Sequence, residues 1–190
     1  MEDIDNLVFH NEPSQQIFYK CLLSEKETLD LRGLIECNTH TTTNIGGLAT
    51  GERKRTEISM DGNGMMDLKE RIMTSLRDYF PDIQLGMTIR MYQQTFGGIK
   101  PHRDASLDGV SSYTLLLYMS DDFEGGKLSL KLKRTDQEKA SSESSKHHKV
   151  FTFTPKIGYG LIFKKDILHW ADEVVEGNKF IMLIDIISNF

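Results

Sequence analysis

Two histidines and one aspartate stand at positions where they could hold a metal ion together. His102 and Asp104 are separated by one residue, and His169 lies in a later apolar segment, residues 167–170. Residues i and i+2 of an extended chain point to the same side, so His102 and Asp104 can face one point. A second histidine from a neighbouring strand would complete a two-histidine, one-carboxylate set, which suits non-haem Fe(II) and leaves other coordination positions open.

A His-x-Asp pair is weak evidence on its own, because a chain with six histidines and 28 acidic residues shows such pairs by chance. On the spacing alone, the favoured interpretation is a surface turn in which Asp104 caps a loop. The remaining histidines lie in polar or irregular segments, and solvated positions are predicted for His10, His40, His147 and His148.

A lysine supports the metal-site hypothesis. Lys179 follows His169 by ten residues and opens an otherwise apolar strand. Its ammonium group could bind a carboxylate of a dicarboxylate co-substrate, because an ion pair removed from water is strong when both partners are present. The alternative is a solvated strand end with a snorkelling stem.

Two tyrosines and a glycine pair flank the same region. Tyr92 precedes His102 by ten residues, and Tyr118 follows it by sixteen. For each tyrosine alone, a position in the core is the simpler explanation. Gly125 and Gly126 indicate a tight turn directly before a strand, close to where the site would be.

Apolar periodicity predicts helices first and strands afterwards. Helical spacing covers 24–37, where Ser24 and Glu27 fit a capping box, and 67–80, which Pro81 ends. The Thr- and Gly-rich segment 38–61 is predicted to be a long mobile hairpin or loop, and 135–149 a solvated, disordered loop. Alternating apolar residues predict strands in the segments 87–92, 114–118, 127–132, 151–154, 159–163, 167–174 and 180–187.

These elements predict an α+β protein, mainly β, with a sandwich or jelly-roll core and N-terminal helices packed on one sheet. One domain over 1–190 is expected, divided into helices and a substrate-lid loop in 1–85 and a core in 86–190. The two cysteines, Cys21 and Cys37, exclude a disulfide framework and are expected to be buried, reduced thiols.

Composition limits the partners. The chain has 23 basic and 28 acidic residues, so its net charge of −5 provides no general footprint for nucleic acid. The acidic start does not fit a secretory signal, and the longest apolar run is far shorter than the ~20 residues of a membrane span. A cytoplasmic location without membrane contact is therefore predicted.

The sequence resembles the Fe(II)- and 2-oxoglutarate-dependent dioxygenases, and within them the prolyl 4-hydroxylase-like branch. The resemblance covers about 87–187 and is carried by an ordered set of segments: 91–93, 101–104, 115–119, 123–128, 158–163, 168–169 and 175–179. It implies a double-stranded β-helix, the jelly roll, in which iron is held by the catalytic residues His102, Asp104 and His169. It also implies that Lys179 binds the far carboxylate of 2-oxoglutarate, with Tyr118 as its hydrogen-bonding helper and Tyr92 lining the same pocket.

The segment 38–61, with Arg55 and Thr56, more weakly resembles the hairpin that this branch closes over its substrate. Arg55 and Trp170 are therefore the candidate substrate-binding residues. The lysine at 179 is typical of collagen-type prolyl hydroxylases, but neither a signal peptide nor the framework of a secreted subunit is predicted, which disfavours an ER location and a collagen substrate.

The resemblance implies hydroxylation of an unactivated C–H bond with O₂ and release of succinate and CO₂, with ascorbate as an optional further cofactor. A prolyl residue of a peptide or protein is the first candidate substrate. The alternatives are the same chemistry on a free amino acid, small metabolite or nucleobase, and a non-catalytic jelly-roll binding module. Nucleic acid is disfavoured, because the segment after His169 lacks the paired arginines of the repair-type branch.

Overall fold

Two antiparallel β-sheets face each other and enclose an apolar layer. The computed structural model describes residues 7–8, 17–37, 41–42, 47–51, 53–62, 64–105, 112–134 and 148–188. The helices are α1 Glu25–Cys37 and α2 Met66–Leu76. The strands are β1 Leu7–Val8, β2 Ile17–Cys21, β3 Thr41–Thr42, β4 Arg53–Ser59, β5 Gln84–Gln94, β6 Gly97–His102, β7 Tyr113–Tyr118, β8 Phe123–Gly125, β9 Leu128–Lys133, β10 His148–Phe153, β11 Tyr159–Lys164, β12 Leu168–Gly177 and β13 Lys179–Ile187.

The larger sheet has eight strands in the order β1-β2-β11-β7-β13-β5-β4-β3. The smaller sheet has the order β10-β9-β12-β6. The short strand β8 also pairs with β12 but is not part of this linear order. Several neighbouring strands are far apart in sequence, such as β2 and β11 in the larger sheet and β12 and β6 in the smaller one, as in a jelly roll. This topology confirms the predicted mainly-β class, with its antiparallel double-sheet core.

The helices cover the outer face of the larger sheet, as predicted. Leu31 and Ile35 of α1 and Leu68 and Ile72 of α2 are buried in one cluster with sheet residues. Those sheet residues are Ile89, Met91, Leu115, Leu117, Met182, Ile184 and Ile186. Burial of such side chains stabilises the fold by about 1.5–3 kcal/mol each.

The start of α1 confirms the predicted capping box. The Ser24 amide donates to Oε2 of Glu27 at 2.7 Å, and the Glu27 amide donates to Oγ of Ser24 at 3.3 Å. Two amide groups that the helix itself cannot satisfy are thereby bonded.

The inner face of the larger sheet carries the alternate residues of the same strands. Tyr92, Leu116, Tyr118 and Ile181 lie in a second cluster with residues of the smaller sheet. The partners from the smaller sheet are Leu128, Leu130, Leu132 and Phe153. Since side chains of a strand alternate between faces, the position of Tyr92 opposite to Ile89 and Met91 is as the sequence predicts.

The N-terminal part contains more of the larger sheet than the prediction of helices with a hairpin or loop over 38–61 indicates. Arg53–Ser59 pairs antiparallel with β3, which fits the predicted hairpin, but it also pairs with β5 over seven residues and so belongs to the larger sheet. Residue 49 bridges to Ile99 of β6, so the described residues of 47–59 contact both sheets. Residues 38–40, 43–46 and 52 of the predicted mobile loop lie outside the described residues.

Other differences are local. β6 contains two glycines and a proline and is not indicated by apolar alternation, and its strand conformation is supported by pairing with β12. Residues 148–149 belong to β10, whereas 135–147 of the predicted disordered loop lie outside the described residues. Cys21 and Cys37 are free, as expected, but exposed rather than buried. Among the described residues, no helix has the length and apolar character needed to cross a membrane.

Candidate metal centre

Two adjacent strands bring the two histidines together. His102 is the last residue of β6 and His169 the second residue of β12, and the two are directly paired across these strands. Their ring centroids are 4.2 Å apart. Asp104 lies two residues beyond β6, where its amide donates to the carbonyl of Lys165 at 3.0 Å.

The three side chains converge as the sequence predicts. Oδ1 of Asp104 lies 3.6 Å from Nε2 of His102 and 3.6 Å from Nε2 of His169. One ligand atom from each residue can be chosen so that all three lie within 4.8 Å of one another. Two imidazole nitrogens and one carboxylate form a donor set that fits a divalent iron ion and leaves other coordination positions open.

Backbone carbonyls fix the orientation of both imidazole rings. Nδ1 of His102 lies 2.9 Å from the carbonyl oxygen of Lys100, and Nδ1 of His169 lies 2.9 Å from that of Ile167. A carbonyl can only accept, so each Nδ1 carries the hydrogen and each Nε2 presents a lone pair to the metal position.

The charge states of Asp104 and His169 suit metal binding, whereas a proton on His102 would compete with the ion. Burial opposes ionisation of Asp104, but His102, His169 and Thr114 outweigh it and lower the pKa of the carboxyl to about 2. Thr114 Oγ1 donates to Oδ2 of Asp104 at 2.6 Å. Burial lowers the pKa of His169, which favours the neutral ligand form. Burial also opposes charge on His102, but bonds to Asp104 and to the Lys100 carbonyl raise its pKa.

A buried ionic network supports the Asp104 segment from behind. Lys165 Nζ lies 2.7 Å from Oδ1 of Asp185 and donates to the carbonyl of Ala105 at 3.2 Å. Arg90 Nη2 also contacts Oδ1 of Asp185 at 2.7 Å. The Lys165 carbonyl also accepts a hydrogen bond from the Asp104 amide. The backbone and the side chain of Lys165 therefore both stabilise the segment that carries the third ligand.

An inner cavity connects the triad with Lys179. Arg53, Gln94 and Lys179 are directly opposed on β4, β5 and β13, so their side chains share the inner face of the sheet. All three line this cavity together with His102, Asp104 and His169.

Lys179 is buried, with 3% of its surface exposed. Its Nζ donates to the carbonyl of Gly126 at 2.5 Å, and no carboxylate of the described residues pairs with it. Burial, reinforced by the nearby cation of Arg53, lowers the pKa of Lys179 to about 7. A desolvated cation at the end of a cavity is suited to bind an anionic group.

Gly126 makes room for this ammonium group. Its φ is +61°, and a Cβ at this position would lie 2.8 Å from the Phe123 ring and 3.2 Å from Cδ of Lys179. The glycine turn that the sequence indicates therefore positions the lysine directly.

The two tyrosines occupy different places. Tyr118 is fully buried beside Lys179, whose Nζ lies 6.0 Å from the ring centroid, and its hydroxyl has no hydrogen-bond partner. Burial raises the pKa of Tyr118, so the hydroxyl is neutral. Tyr92 lines a second, outer cavity of about 310 Å³ that shares His102 and Asp104 with the inner one.

Arg53 is a site residue that the sequence analysis misses. It is 5% exposed and lines both cavities, and its guanidinium carbon lies 4.0 Å from the Tyr92 ring centroid. The signal available in the sequence is the i, i+2 spacing of Arg53 and Arg55, which places both on one face of an extended chain. The prediction of a mobile hairpin or loop over 38–61 did not assign Arg53 to a strand of the core.

The structure places Arg55 in the outer cavity and Trp170 away from both cavities. Trp170 pairs with Ser129, whereas Leu128 and Leu130 on either side of Ser129 face the interior. Its side chain therefore lies on the outer face of the smaller sheet, opposite to His169. The structure does not bring Trp170 to the substrate position that the sequence analysis assigns to it.

Comparison with known proteins gives a result for the structure but not for the sequence. A scan against protein-family models finds no match, and a search of curated protein sequences finds none either. The structure is similar to an oxidoreductase of the 2OG-Fe(II) oxygenase family from Burkholderia pseudomallei, with a TM-score of 0.67 and 12% identity, over 90% of this chain and 85% of that one. The chain has the fold of the 2-oxoglutarate-Fe(II) oxygenases.

Two further structures show the range of this fold. A prolyl hydroxylase from Trichoplax adhaerens, in complex with a hypoxia-inducible factor peptide fragment, has a TM-score of 0.66 and 14% identity, over 94% of this chain and 85% of that one. The α-ketoglutarate-dependent epimerase SnoN of nogalamycin biosynthesis has a TM-score of 0.67 and 13% identity, over 92% of this chain and 76% of that one. The fold resemblance seen in the sequence is confirmed.

Proposed function

We propose that this protein is an Fe(II)- and 2-oxoglutarate-dependent oxygenase that hydroxylates an unactivated C–H bond, with a prolyl residue of a peptide or protein as the first candidate substrate. The observation that carries the proposal is one cavity that is lined both by His102, Asp104 and His169 and by Lys179, which forms no ion pair with a described residue. We further propose that residues 1–190 act as one catalytic domain.

His102, Asp104 and His169 would hold the iron through two Nε2 atoms and a carboxylate oxygen. The bound metal, with O₂ and 2-oxoglutarate, supplies the oxidation of the C–H bond, with release of succinate and CO₂. Lys179 would bind the far carboxylate of 2-oxoglutarate, and the partnerless hydroxyl of Tyr118 would donate to the same carboxylate. Ascorbate, as a reductant that maintains the metal, is part of this proposal.

The peptide substrate is supported by the segment that reaches the outer cavity. Leu48 lines this cavity and Ala49 bridges to β6, so residues 47–59 would form one wall of a cleft for an extended chain, with Arg55 as a substrate contact. The Trichoplax neighbour was solved with a peptide, which favours the same substrate class here. Oxidation of a free amino acid or small metabolite is the second candidate, because the neighbour SnoN is an epimerase of nogalamycin biosynthesis.

The chemistry is tested first without a substrate. Fe(II) and 2-oxoglutarate added anaerobically are expected to give a weak visible charge-transfer band, which D104A abolishes. A folded wild-type protein without this band would favour the binding-module alternative.

The substrate is tested by succinate release and mass spectrometry. Proline-rich peptides are expected to gain one oxygen, and matched peptides with alanine in place of proline are expected to gain none. Succinate release with a small molecule but with no peptide would transfer the proposal to the second candidate.

A further inference from the structure

Two arginines of the outer cavity present nitrogens without partners. Arg53 and Arg55 are two residues apart on β4, so both side chains lie on the inner face of the sheet. The Nε atom of each is buried, and neither has a hydrogen-bond partner. A buried N–H group without an acceptor is costly, so these two donors favour a ligand that supplies one.

The Tyr92 ring lies beside both guanidinium groups. Its ring centroid lies 4.0 Å from the guanidinium carbon of Arg53 and 6.0 Å from that of Arg55. Contact with an aromatic face restricts a guanidinium plane and leaves its edge free for hydrogen bonding. The two arginines therefore form a pre-positioned pair.

The charge of the outer cavity is not balanced by its own residues. Among the described lining residues, Asp104 is the only acid, and it belongs to the triad. Arg90 is compensated by Asp185, and Arg55 by Glu57 at the exposed edge of β4. Arg53 forms no ion pair with any described residue, although it is almost fully buried.

A co-substrate in the inner cavity does not account for Arg55. Arg53 lines both cavities, whereas Arg55 lines only the outer one, and Lys179 already provides a cation in the inner cavity. An anion in the outer cavity would instead satisfy both Nε groups and compensate Arg53. Planar guanidinium groups match a carboxylate in particular, because they can bind it with two parallel hydrogen bonds.

We infer that the substrate carries a carboxylate beside the carbon that is oxidised, and that Arg53 and Arg55 bind this carboxylate while Tyr92 positions their guanidinium groups. The inference rests on the proposed function, whose candidate substrates are peptides and amino acids. The carboxylate is accordingly either an acidic side chain of a peptide or the α-carboxylate of a free amino acid.

The test compares carboxylates with isosteric amides. Calorimetric titration of the Mn(II)- and 2-oxoglutarate-loaded protein without O₂ would use N-acetyl-Asp-Pro-amide against N-acetyl-Asn-Pro-amide, and proline against prolinamide. The first pair reports on an acidic side chain and the second on a free amino acid. In at least one pair we expect the carboxylate to bind at least about tenfold more tightly, as charge-assisted hydrogen bonds imply.

Variants assign the preference to residues. R53Q and R55Q are each expected to reduce the affinity ratio of carboxylate to amide to less than about twofold. R55Q is expected to leave the 2-oxoglutarate affinity unchanged. K54Q is the matched control, because Lys54 lies on the same strand but faces away and is exposed. Thermal unfolding verifies each fold, and R55Q alone suffices if R53Q does not fold.

Three results would overturn the inference: affinities equal within about twofold in both pairs, no binding of either carboxylate, or a preference that persists in R53Q and R55Q. The proposed function fails separately, if no succinate forms with any substrate, because the binding comparison does not depend on turnover.

Discussion

The two faces of the eight-stranded sheet carry different kinds of side chain, although the same strands supply both. Toward the helices, β5, β7 and β13 present mainly apolar residues, such as Met91, Leu117 and Met182. Toward the smaller sheet, the adjacent positions present Tyr92 and Tyr118. Lys179 lies on the same face, because it precedes the inward-facing Ile181 by two residues. Consecutive residues of one strand thus have different roles: one stabilises the fold, and the next faces the candidate site.

This difference has an energetic counterpart. The helix-facing side chains contribute through burial alone, whereas the inner face contains buried polar groups that are costly without partners. Tyr118, Arg53 and Arg55 each retain a buried polar atom without a hydrogen bond. Substitutions on the two faces should therefore separate stability from ligand binding.

The largest expected effect is on the helix-facing side. L117A removes a fully buried side chain and should lower the free energy of unfolding by about 2–5 kcal/mol. Succinate formation per folded molecule should stay within about twofold of wild type, because Leu117 faces away from the cavities. Chemical denaturation measures the first quantity, and L117M is the volume-conserving control. A loss of activity at unchanged stability would remove the distinction between the faces.

On the inner side, K179M should show the opposite pattern. Removing the buried cation should weaken 2-oxoglutarate binding about 100-fold, or about 2.7 kcal/mol, because the far carboxylate loses its ion pair. Stability should not fall, since an uncompensated buried charge is also removed. Calorimetric titration of the Mn(II)-loaded protein gives the affinity, with K179R as the charge-retaining control. Equal affinity in K179M and wild type would contradict the role of Lys179.

A smaller effect is expected where the inner face touches a metal ligand. T114V replaces the hydroxyl that donates to Asp104 with a methyl group and should reduce metal affinity about tenfold. Competition with a chromophoric chelator measures the dissociation constant for Co(II) in both proteins. Because T114S retains the hydroxyl, it should keep wild-type affinity, and an equal loss in both variants would point to packing instead.

The smallest effect concerns pH. With its pKa at about 7, Lys179 is charged below this value and increasingly neutral above it. Binding of 2-oxoglutarate to the Mn(II)-loaded protein should therefore weaken about fivefold as pH rises from 7 to 8, because the charged fraction of Lys179 falls from about one half to about one tenth. K179R remains charged in this range, so its affinity should be flat. Wild-type affinity that does not change with pH would mean that Lys179 stays protonated.

The sequence predicts those features that depend on local patterns. Helical spacing and the Ser24–Glu27 box locate α1, and strand alternation separates Tyr92 from Met91. The pair His102 and Asp104 also follows from a local rule, the common direction of residues i and i+2. Convergence with His169 could be proposed only as a hypothesis, because the pairing of β6 with β12 joins segments about 70 residues apart.

The features that the sequence did not predict depend on contacts between distant strands. The first three residues of β4 are all basic, so this strand lacks the apolar alternation by which strands are recognised in a sequence. Pairing with β5 makes it a strand, and the Tyr92 ring makes a buried position acceptable for Arg53. Thr114, Lys165 and Asp185 support Asp104 only through tertiary contacts. No spacing rule connects them.

The carbonyl anchors of the two imidazole rings have a consequence for assembly of the metal site. Each anchor lies two residues earlier in the chain, so neither ring needs the other, or a bound ion, to adopt its orientation. The carboxylate differs, since Asp104 lies beyond the end of β6 and relies on Thr114 and Lys165. The nitrogen donors are thus set by backbone geometry, and the oxygen donor is the adjustable member through which neighbouring loops can affect how firmly the ion is held.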